Sequence, residues 1–179
     1  MRVAFSGTHR SGKSTLLEEI AGLFPDHATV DEPYYLLEED GYDAAAPPSV
    51  EDFEAQLERS LASLEETGAN VLFDRCPADI FAYLLSHPEG DGFDADAWRE
   101  RVVEAMSTLD LVVFVPIESL DRIAVPAHED RELRMVVHET LEGLLLDESS
   151  AFDVEVLRVH GDLQDRARQV LQRINGERT

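Results

Sequence analysis

The sequence predicts an α/β fold in which a five-stranded parallel sheet carries helices on both faces. Short apolar runs suited to buried strands alternate with amphipathic segments of helical period along the chain. A glycine-rich loop, residues 7–15, joins the first apolar run to the first amphipathic segment. Because strands that alternate with helices form parallel sheets through right-handed crossovers, we expect three layers, with the sheet in the middle.

Each element can be placed in chain order from its pattern of apolar residues. The predicted strands are 2–6, 27–30, 70–73, 109–115 and 154–159. The predicted helices are 15–23, 49–67, 77–85, 94–106, 131–146 and 163–174. The fourth strand is almost wholly apolar, which favours a position inside the sheet. We expect residues 1–179 to form one domain, with a lid segment at about 116–131.

The glycine-rich loop fits the P-loop pattern G-x-x-x-x-G-K-[ST] at every fixed position, between a strand and a helix as that motif requires. Its glycines allow a tight turn and a close approach to a ligand, and its N–H groups point at phosphate oxygens. Lys13 is predicted to reach the β- and γ-phosphates of ATP, and Ser14 to bind Mg²⁺. The predicted nucleotide-binding residues are Gly7, Thr8, His9, Arg10, Ser11, Gly12, Lys13, Ser14 and Thr15.

The sequence lacks the signatures of two common classes of P-loop protein. Lys13 is the only lysine in the chain, so the N/T-K-x-D guanine motif of Ras-type GTPases is absent. Motor and AAA-type ATPases need an acidic pair after an apolar strand, whereas Asp74 is followed by Arg75. The sequence therefore favours a small-molecule kinase with ATP and Mg²⁺ as cofactors.

Charged residues follow the predicted strands, and the carboxyl ends of parallel strands meet at one edge of the sheet. Glu32 or Asp31 is placed to receive the proton of an acceptor hydroxyl, and Arg75 to neutralise the transferred phosphoryl group. Asp74 is predicted to support the metal with Ser14, although it could instead cap the following helix. Arg131, in the lid, is predicted to be a second cation on the phosphoryl group. These residues complete the predicted catalytic and metal sites.

The segment Val3–His9 together with Lys13–Leu16 resembles small P-loop proteins known as "AAA family ATPases", which are similar to the nicotinamide riboside kinase domain. The pairs Asp31-Glu32 and Asp74-Arg75 are also similar to those of deoxynucleoside and thymidylate kinases, which carry an acid after the second strand and D-R after the third. The resemblance implies a P-loop NTPase fold, with Glu32 as the acceptor-side base and Arg75 as a clamp on phosphate and acceptor.

The composition limits the classes of partner that we expect for this protein. The formal net charge is −23 and the pI near 4.4, so a nucleic-acid backbone is a poor partner. The acidity indicates either a solvated surface, as in salt-adapted organisms, or a cationic acceptor. The chain contains no apolar run long enough for a membrane span and no signal core, so we expect a cytoplasmic protein. The sequence carries no signal for an oligomeric state.

These observations together predict an ATP- and Mg²⁺-dependent phosphotransferase that acts on a hydroxyl of a small molecule. A nucleoside or nucleoside-like compound is the expected acceptor, and one of Tyr34 and Tyr35 could stack on its ring. Two alternatives stay open. One is a slow ATPase that serves as a regulatory switch for a protein partner, and the other is a sugar, amino-alcohol or antibiotic kinase.

Overall fold

The computed structural model describes residues 1–88, 93–117, 131–147, 150 and 152–176. Most of the predicted lid, residues 118–130, lies outside the described residues. The sheet has five parallel strands in the order β2-β3-β1-β4-β5. The strands are β1 Arg2–Ser6, β2 Ala28–Val30, β3 Val71–Asp74, β4 Leu111–Phe114 and β5 Val156–Arg158. The predicted number and direction of the strands are confirmed.

The helices lie where the apolar periodicity predicts them, with one addition. They are α1 Lys13–Ala21, α2 Pro33–Glu39, α3 Val50–Glu66, α4 Pro77–Ser86, α5 Ala95–Met106, α6 Arg131–Leu146 and α7 Leu163–Gly176. The helix that the sequence analysis did not predict is α2, a short helix with Pro33 in its first turn. It begins directly after Glu32 and therefore fixes the direction in which the chain leaves the end of β2. Within the described parts of the chain, no helix is both long and apolar enough to cross a membrane.

Side chains at helix starts explain several of these boundaries. Ser49 and Asp52 form a reciprocal capping box at the start of α3. Asp94 accepts a hydrogen bond of 3.2 Å from the backbone N–H of Ala97 and caps α5. The start of α4 is capped by Cys76 and Asp79, so Asp74 does not have the capping role that the sequence also allowed.

The sheet separates two apolar cores, and alternate residues of β1 point into each. Ala4 belongs to the core beneath α3, α4, α5 and α6, whereas Val3 and Phe5 belong to the core beneath α1 and α7. All three side chains are completely buried. β4 is buried throughout and lies between β1 and β5, which confirms its predicted interior position. The helices therefore cover both faces of the sheet, and the predicted three-layer α/β fold is correct.

Candidate active site

The P-loop follows β1 and ends in the first turn of α1. Gly7 has a φ of +154°, and a Cβ atom there would lie 2.5 Å from the Val115 carbonyl oxygen. Gly12, with a φ of +90°, precedes Lys13 as the N-cap of α1. Both conformations are readily accessible to glycine, so the two fixed glycines of the motif are explained by the backbone itself. The positive end of α1 is therefore directed at the loop, as phosphate binding requires.

Lys13 brings the ends of β2 and β3 to the P-loop. The residue Lys13 is only 4% exposed. Its ammonium group forms an ion pair with Glu32 Oε1 and lies 3.5 Å from Asp74 Oδ1. Glu32 also accepts a 2.7 Å hydrogen bond from Arg75 Nε through its other oxygen. Four of the charged residues predicted for the site thus meet in one cluster: Lys13, Glu32, Asp74 and Arg75.

The pKa values of the two carboxyl groups in the cluster are shifted in opposite directions. Burial opposes ionisation of Glu32, but the charges and hydrogen bonds of Arg75 and Lys13 outweigh it and lower the pKa to about 2. Burial also raises the pKa of Asp74, and here the attraction of Lys13 is partly cancelled by the neighbouring Glu32 carboxylate. Glu32 is therefore firmly ionised, while Asp74 binds a proton more readily than an ordinary aspartate.

Arg75 is held in an unusual conformation by several contacts. Its φ is +79°, which is rare for a residue with a side chain. Besides Glu32, its guanidinium donates a 3.1 Å hydrogen bond to the Gly7 carbonyl and lies 3.6 Å from Asp79. The guanidinium also lies over the ring of Tyr83, 5.5 Å from its centroid. Burial disfavours its charge, but Glu32 outweighs this effect and raises the pKa of Arg75. A strained, buried arginine at a strand end is typical of a functional site.

Asp79 supports the P-loop and was not predicted from the sequence. Its side chain is completely buried, accepts a 2.8 Å hydrogen bond from the Gly7 N–H, and accepts a 3.0 Å bond from the Cys76 N–H. One side chain therefore caps α4 and fixes the first residue of the P-loop. Tyr83, one turn later, accepts a 3.2 Å hydrogen bond from the His9 N–H. The aspartate two residues after Pro77 is a capping-box position, which is the sequence signal that could have identified Asp79.

Two further buried arginines bind P-loop carbonyl groups. Arg134, on α6, donates to the His9 carbonyl at 3.1 Å and to the Arg10 carbonyl at 3.2 Å. Arg166, on α7, donates to the Ser11 carbonyl at 2.9 Å. In a phosphate-binding loop the N–H groups must face the ligand, so the carbonyls face away and need other donors. These arginines also place positive charge beside the loop of an otherwise acidic protein.

Two of the predicted catalytic residues lie outside this cluster. Asp31 is exposed, and its side chain forms no hydrogen bond or ion pair with any residue that the structure describes. Arg131 is exposed at the first position of α6, one turn before Arg134. The geometry therefore places Glu32 in the centre of the site and Asp31 at its edge. The lid through which Arg131 was predicted to act lies mostly outside the described residues.

The side chains of Ser14 and Asp74 fit a Mg²⁺ ion. Asp74 Oδ1 is buried and has no hydrogen-bond partner among the described residues, and Ser14 lies close enough to favour the ionised form of the Asp74 carboxyl group. A hydroxyl and a carboxylate are the hard oxygen ligands that Mg²⁺ prefers. In the described part of the chain, no cluster of three or more His, Cys, Asp or Glu side chains could hold a metal ion by itself. The remaining ligands of Mg²⁺ would have to be phosphate oxygens and water.

Comparisons with known proteins agree with this architecture. Deoxyadenosine kinase from M. mycoides with bound dATP superimposes with a TM-score of 0.73 at 18% sequence identity, over 98% of this chain and 100% of the kinase. The same enzyme with dCMP and dCDP gives 0.71 at 14%, with the same coverage of both chains. Thymidylate kinase from Candida albicans gives 0.63 at 13%, over 98% of this chain and 91% of its own. These similarities show a P-loop kinase fold.

Of the two remaining comparisons, one finds a match. A search of curated proteins finds no match. A family model described as an AAA domain matches residues 2–166, which include the P-loop, all five strands and the Lys13–Glu32–Arg75 cluster. The chain belongs to this AAA domain family, within the P-loop kinase-like fold.

Proposed function

We propose that the chain is an ATP- and Mg²⁺-dependent phosphotransferase that moves the γ-phosphate of ATP to a hydroxyl of a small molecule. A nucleoside or nucleoside-like compound is the proposed acceptor. The observation that carries the proposal is the ion pair between Lys13 and Glu32. It supports the proposal because Lys13, which would hold the γ-phosphate, contacts Glu32, which would receive the acceptor proton.

The transfer uses groups of this chain in distinct roles. Glu32 takes the proton of the acceptor hydroxyl, while the acceptor oxygen forms a bond to the γ-phosphorus and the bond from that phosphorus to ADP breaks. Lys13 and Arg75 neutralise the charge on the transferred group. Ser14 and Asp74 would hold Mg²⁺, which would further neutralise the charge of the β- and γ-phosphates. Asp31 is the alternative base, and Arg131 is the proposed lid cation.

In this proposal the pKa of Glu32 depends on whether ATP is bound, which couples the ATP side of the site to the acceptor side. With a pKa of about 2, a carboxylate paired with Lys13 and Arg75 is a poor proton acceptor at neutral pH. The γ-phosphate of ATP would compete with Glu32 for Lys13, because both are anions on the same ammonium group. Loss of that partner raises the pKa of Glu32 and makes it a better base. Binding of ATP thus prepares the acceptor side for transfer.

The remaining parts of the proposal concern the whole chain. We take residues 1–179 as one kinase-like domain, with 116–131 as its lid, acting in the cytoplasm on ATP and a small acceptor. Supporting this, the P-loop is contacted by α4, α6 and α7, so the described elements on both sides of the lid converge on one site.

The test is a screen of ATP consumption with and without single acceptors. The panel contains the common nucleosides, nicotinamide riboside, sugars and amino alcohols, and the product is identified by mass spectrometry. We expect one class of compound to stimulate ADP formation and to gain a phosphate, and Glu32→Gln to slow the transfer while ATP still binds. Slow hydrolysis that is equal across the panel would refute the kinase and would indicate a nucleotide-binding switch.

A further inference from the structure

A small cavity lies between α2, the loop that follows it, and α3. Its volume is about 50 Å³. A single water molecule needs roughly 10–15 Å³ on the same measure, so the cavity has room for a group of about three to five non-hydrogen atoms. The polar side chains that line it are Tyr34, Glu38, Tyr42, Asp43, Asp52 and Gln56. We call it the acidic cavity.

Among the residues that the structure describes, three carboxylates and no basic side chain line the acidic cavity. Asp52 is only 4% exposed and accepts hydrogen bonds from the Tyr42 hydroxyl at 2.9 Å and from the Ser49 N–H at 2.7 Å. Burial opposes its ionisation, but the hydrogen bonds from Ser49, Tyr42 and Ala45 outweigh this and lower the pKa of Asp52. All of these donors are neutral. The buried negative charge of Asp52 is therefore stabilised without being cancelled.

Gln56 gives an independent indication of a ligand. Its side chain lines the acidic cavity, is only 7% exposed, and forms no hydrogen bond with any described residue. Polar side chains that are this largely buried normally have a hydrogen-bond partner, so the Gln56 amide is available to a ligand or to water in the acidic cavity. A ligand carrying N–H groups would provide donors to the amide oxygen. Tyr34 and Tyr42, each 39% exposed, add aromatic rings that attract cations.

We propose that the acidic cavity binds a positively charged amino or guanidinium group of the acceptor. The inference rests on the proposed function, because it takes Glu32, two residues before Tyr34, as the group that receives the acceptor hydroxyl. α2 connects the two places, because Tyr34 and Glu38 of the cavity lining follow Glu32 by two and six residues. At roughly 1.5 Å per residue, they lie within about 9 Å of Glu32 along the helix axis. The acceptor is then a nucleoside-like alcohol that carries an amino or guanidinium group, and the acidic cavity holds its charged end.

The binding step can be tested with two probes of nearly the same shape and different charge. Guanidinium chloride and urea are each titrated into the ¹⁵N-labelled protein to about 20 mM at constant ionic strength, far below denaturing concentrations. We expect guanidinium to shift the side-chain amide signals of Gln56 and the backbone signals of Ala44 in a saturable manner, and urea to leave them unchanged. Gln56→Leu, which keeps the size of the side chain, should weaken guanidinium binding by about fivefold or more.

Two further variants separate the acidic cavity from general attraction to an acidic surface. Asp43→Asn removes an exposed carboxylate from the lining and should weaken guanidinium binding without affecting folding. Gln172→Leu, an exposed glutamine on α7, should leave the titration unchanged. Equal shifts with urea, or guanidinium binding that survives Gln56→Leu, would overturn the proposal.

A second measurement distinguishes failure of this inference from failure of the proposed function. The titration needs no ATP, and the acceptor screen is run separately with cationic alcohols and with neutral alcohols of similar size. Saturable binding that depends on Gln56, with no transfer to any alcohol, keeps the cation site and refutes the kinase. Transfer to neutral nucleosides without Gln56-dependent binding keeps the kinase and refutes the cation site.

Discussion

At the scale of single residues, Lys13 is the charge on which the cluster is built. Its ammonium contacts Glu32 and Asp74 in the structure and is proposed to bind the γ-phosphate. Lys13→Ala should lower phosphoryl transfer by roughly 10²–10³, because a preorganised cation on the developing charge contributes a few kcal/mol to catalysis. ADP formation with the acceptor identified in the screen measures the loss. Arg168→Ala removes an exposed cation on α7 and should retain full activity; retained turnover in Lys13→Ala would refute the site.

Gly7 is a second residue whose identity the structure requires. A methyl group there would meet the Val115 carbonyl at 2.5 Å and Ser11 Oγ at 2.7 Å, and the φ of +154° disfavours any side chain. Gly7→Ala should therefore destabilise the protein by about 2–4 kcal/mol, as a strained substitution in a packed region does. Gly68→Ala is the control, because nothing lies within 4 Å of its added methyl group. Thermal unfolding of both variants measures the difference in stability, and equal melting temperatures would contradict this prediction.

Glu32 should give the protein a pH-dependent stability. Its pKa is about 2 in the folded protein and 4.5 in an unperturbed chain, so between these values the unfolded state binds more protons. The contribution, up to about 3 kcal/mol, is complete above pH 4.5 and is lost as the pH falls towards 2. The free energies of unfolding in urea of wild type and Glu32→Gln should therefore differ most near pH 7 and converge as the pH falls towards 2. Glu104→Gln, at an exposed position, should show no such convergence.

The residues that the sequence identified differ in kind from those that it missed. Lys13 lies in a local motif, and Glu32 and Arg75 follow predicted strands, so their meeting follows from the parallel sheet. Asp79 and Arg166 contact the P-loop across 72 and 155 residues of chain. An arginine on a helix carries no sign of which distant carbonyl it will bind. The choice between Glu32 and Asp31 likewise depends on the side-chain direction set by α2, which the sequence analysis did not predict.

At the scale of elements, the spacing of apolar residues correctly predicted the helices and strands that bury one face. α6 was predicted at its observed bounds, 131–146, because its apolar residues recur at helical spacing. α2 has only seven residues and buries only Pro33, so it has too few buried positions to establish a period. Its starting proline was a usable sign, since proline favours the first turn of a helix. Short helices with little buried surface are hard to predict from a single sequence.

The position of α7 leads to a prediction for that element. Arg166 is 9% exposed and donates to the Ser11 carbonyl, whereas Arg168 on the same helix is exposed and pairs with Asp165. Arg166→Gln should raise the KM for ATP about tenfold, because the P-loop loses a charged donor that orients it, and should cost about 1–3 kcal/mol of stability. Arg168→Gln should change both by little. Steady-state kinetics at varied ATP and thermal unfolding are the measurements; similar KM values in both variants would refute the role of Arg166.

At the scale of the whole molecule, the sequence predicted the layers and the parallel sheet but not the order of the strands. Alternation of strands and helices requires crossovers, and these cover both faces, as Val3 and Ala4 on opposite sides of the sheet show. The order β2-β3-β1-β4-β5 depends on which way each crossover runs. Several orders satisfy the same apolar pattern, because each strand in a covered parallel sheet is buried on both faces. The structure was therefore needed to show that β1 and β3 are neighbours and that Arg75 reaches Gly7.

The net charge of −23 should make the stability of the whole molecule depend on salt. Repulsion between exposed carboxylates opposes the compact state, and salt screens exposed charges over roughly 10 Å at 0.1 M. The buried Lys13–Glu32 pair is screened much less, and exposed pairs such as Arg101–Glu58 contribute little. We therefore expect the melting temperature to rise by several degrees between 20 and 500 mM NaCl, equally in KCl, since about 1 kcal/mol corresponds to 2–4 °C at this chain length. A triple variant that removes three exposed charges, Asp26→Asn, Glu39→Gln and Glu104→Gln, should melt higher at 20 mM NaCl and gain less from added salt. A melting temperature that falls with salt would show that attractive ion pairs, and not repulsion, dominate the charges of the folded protein.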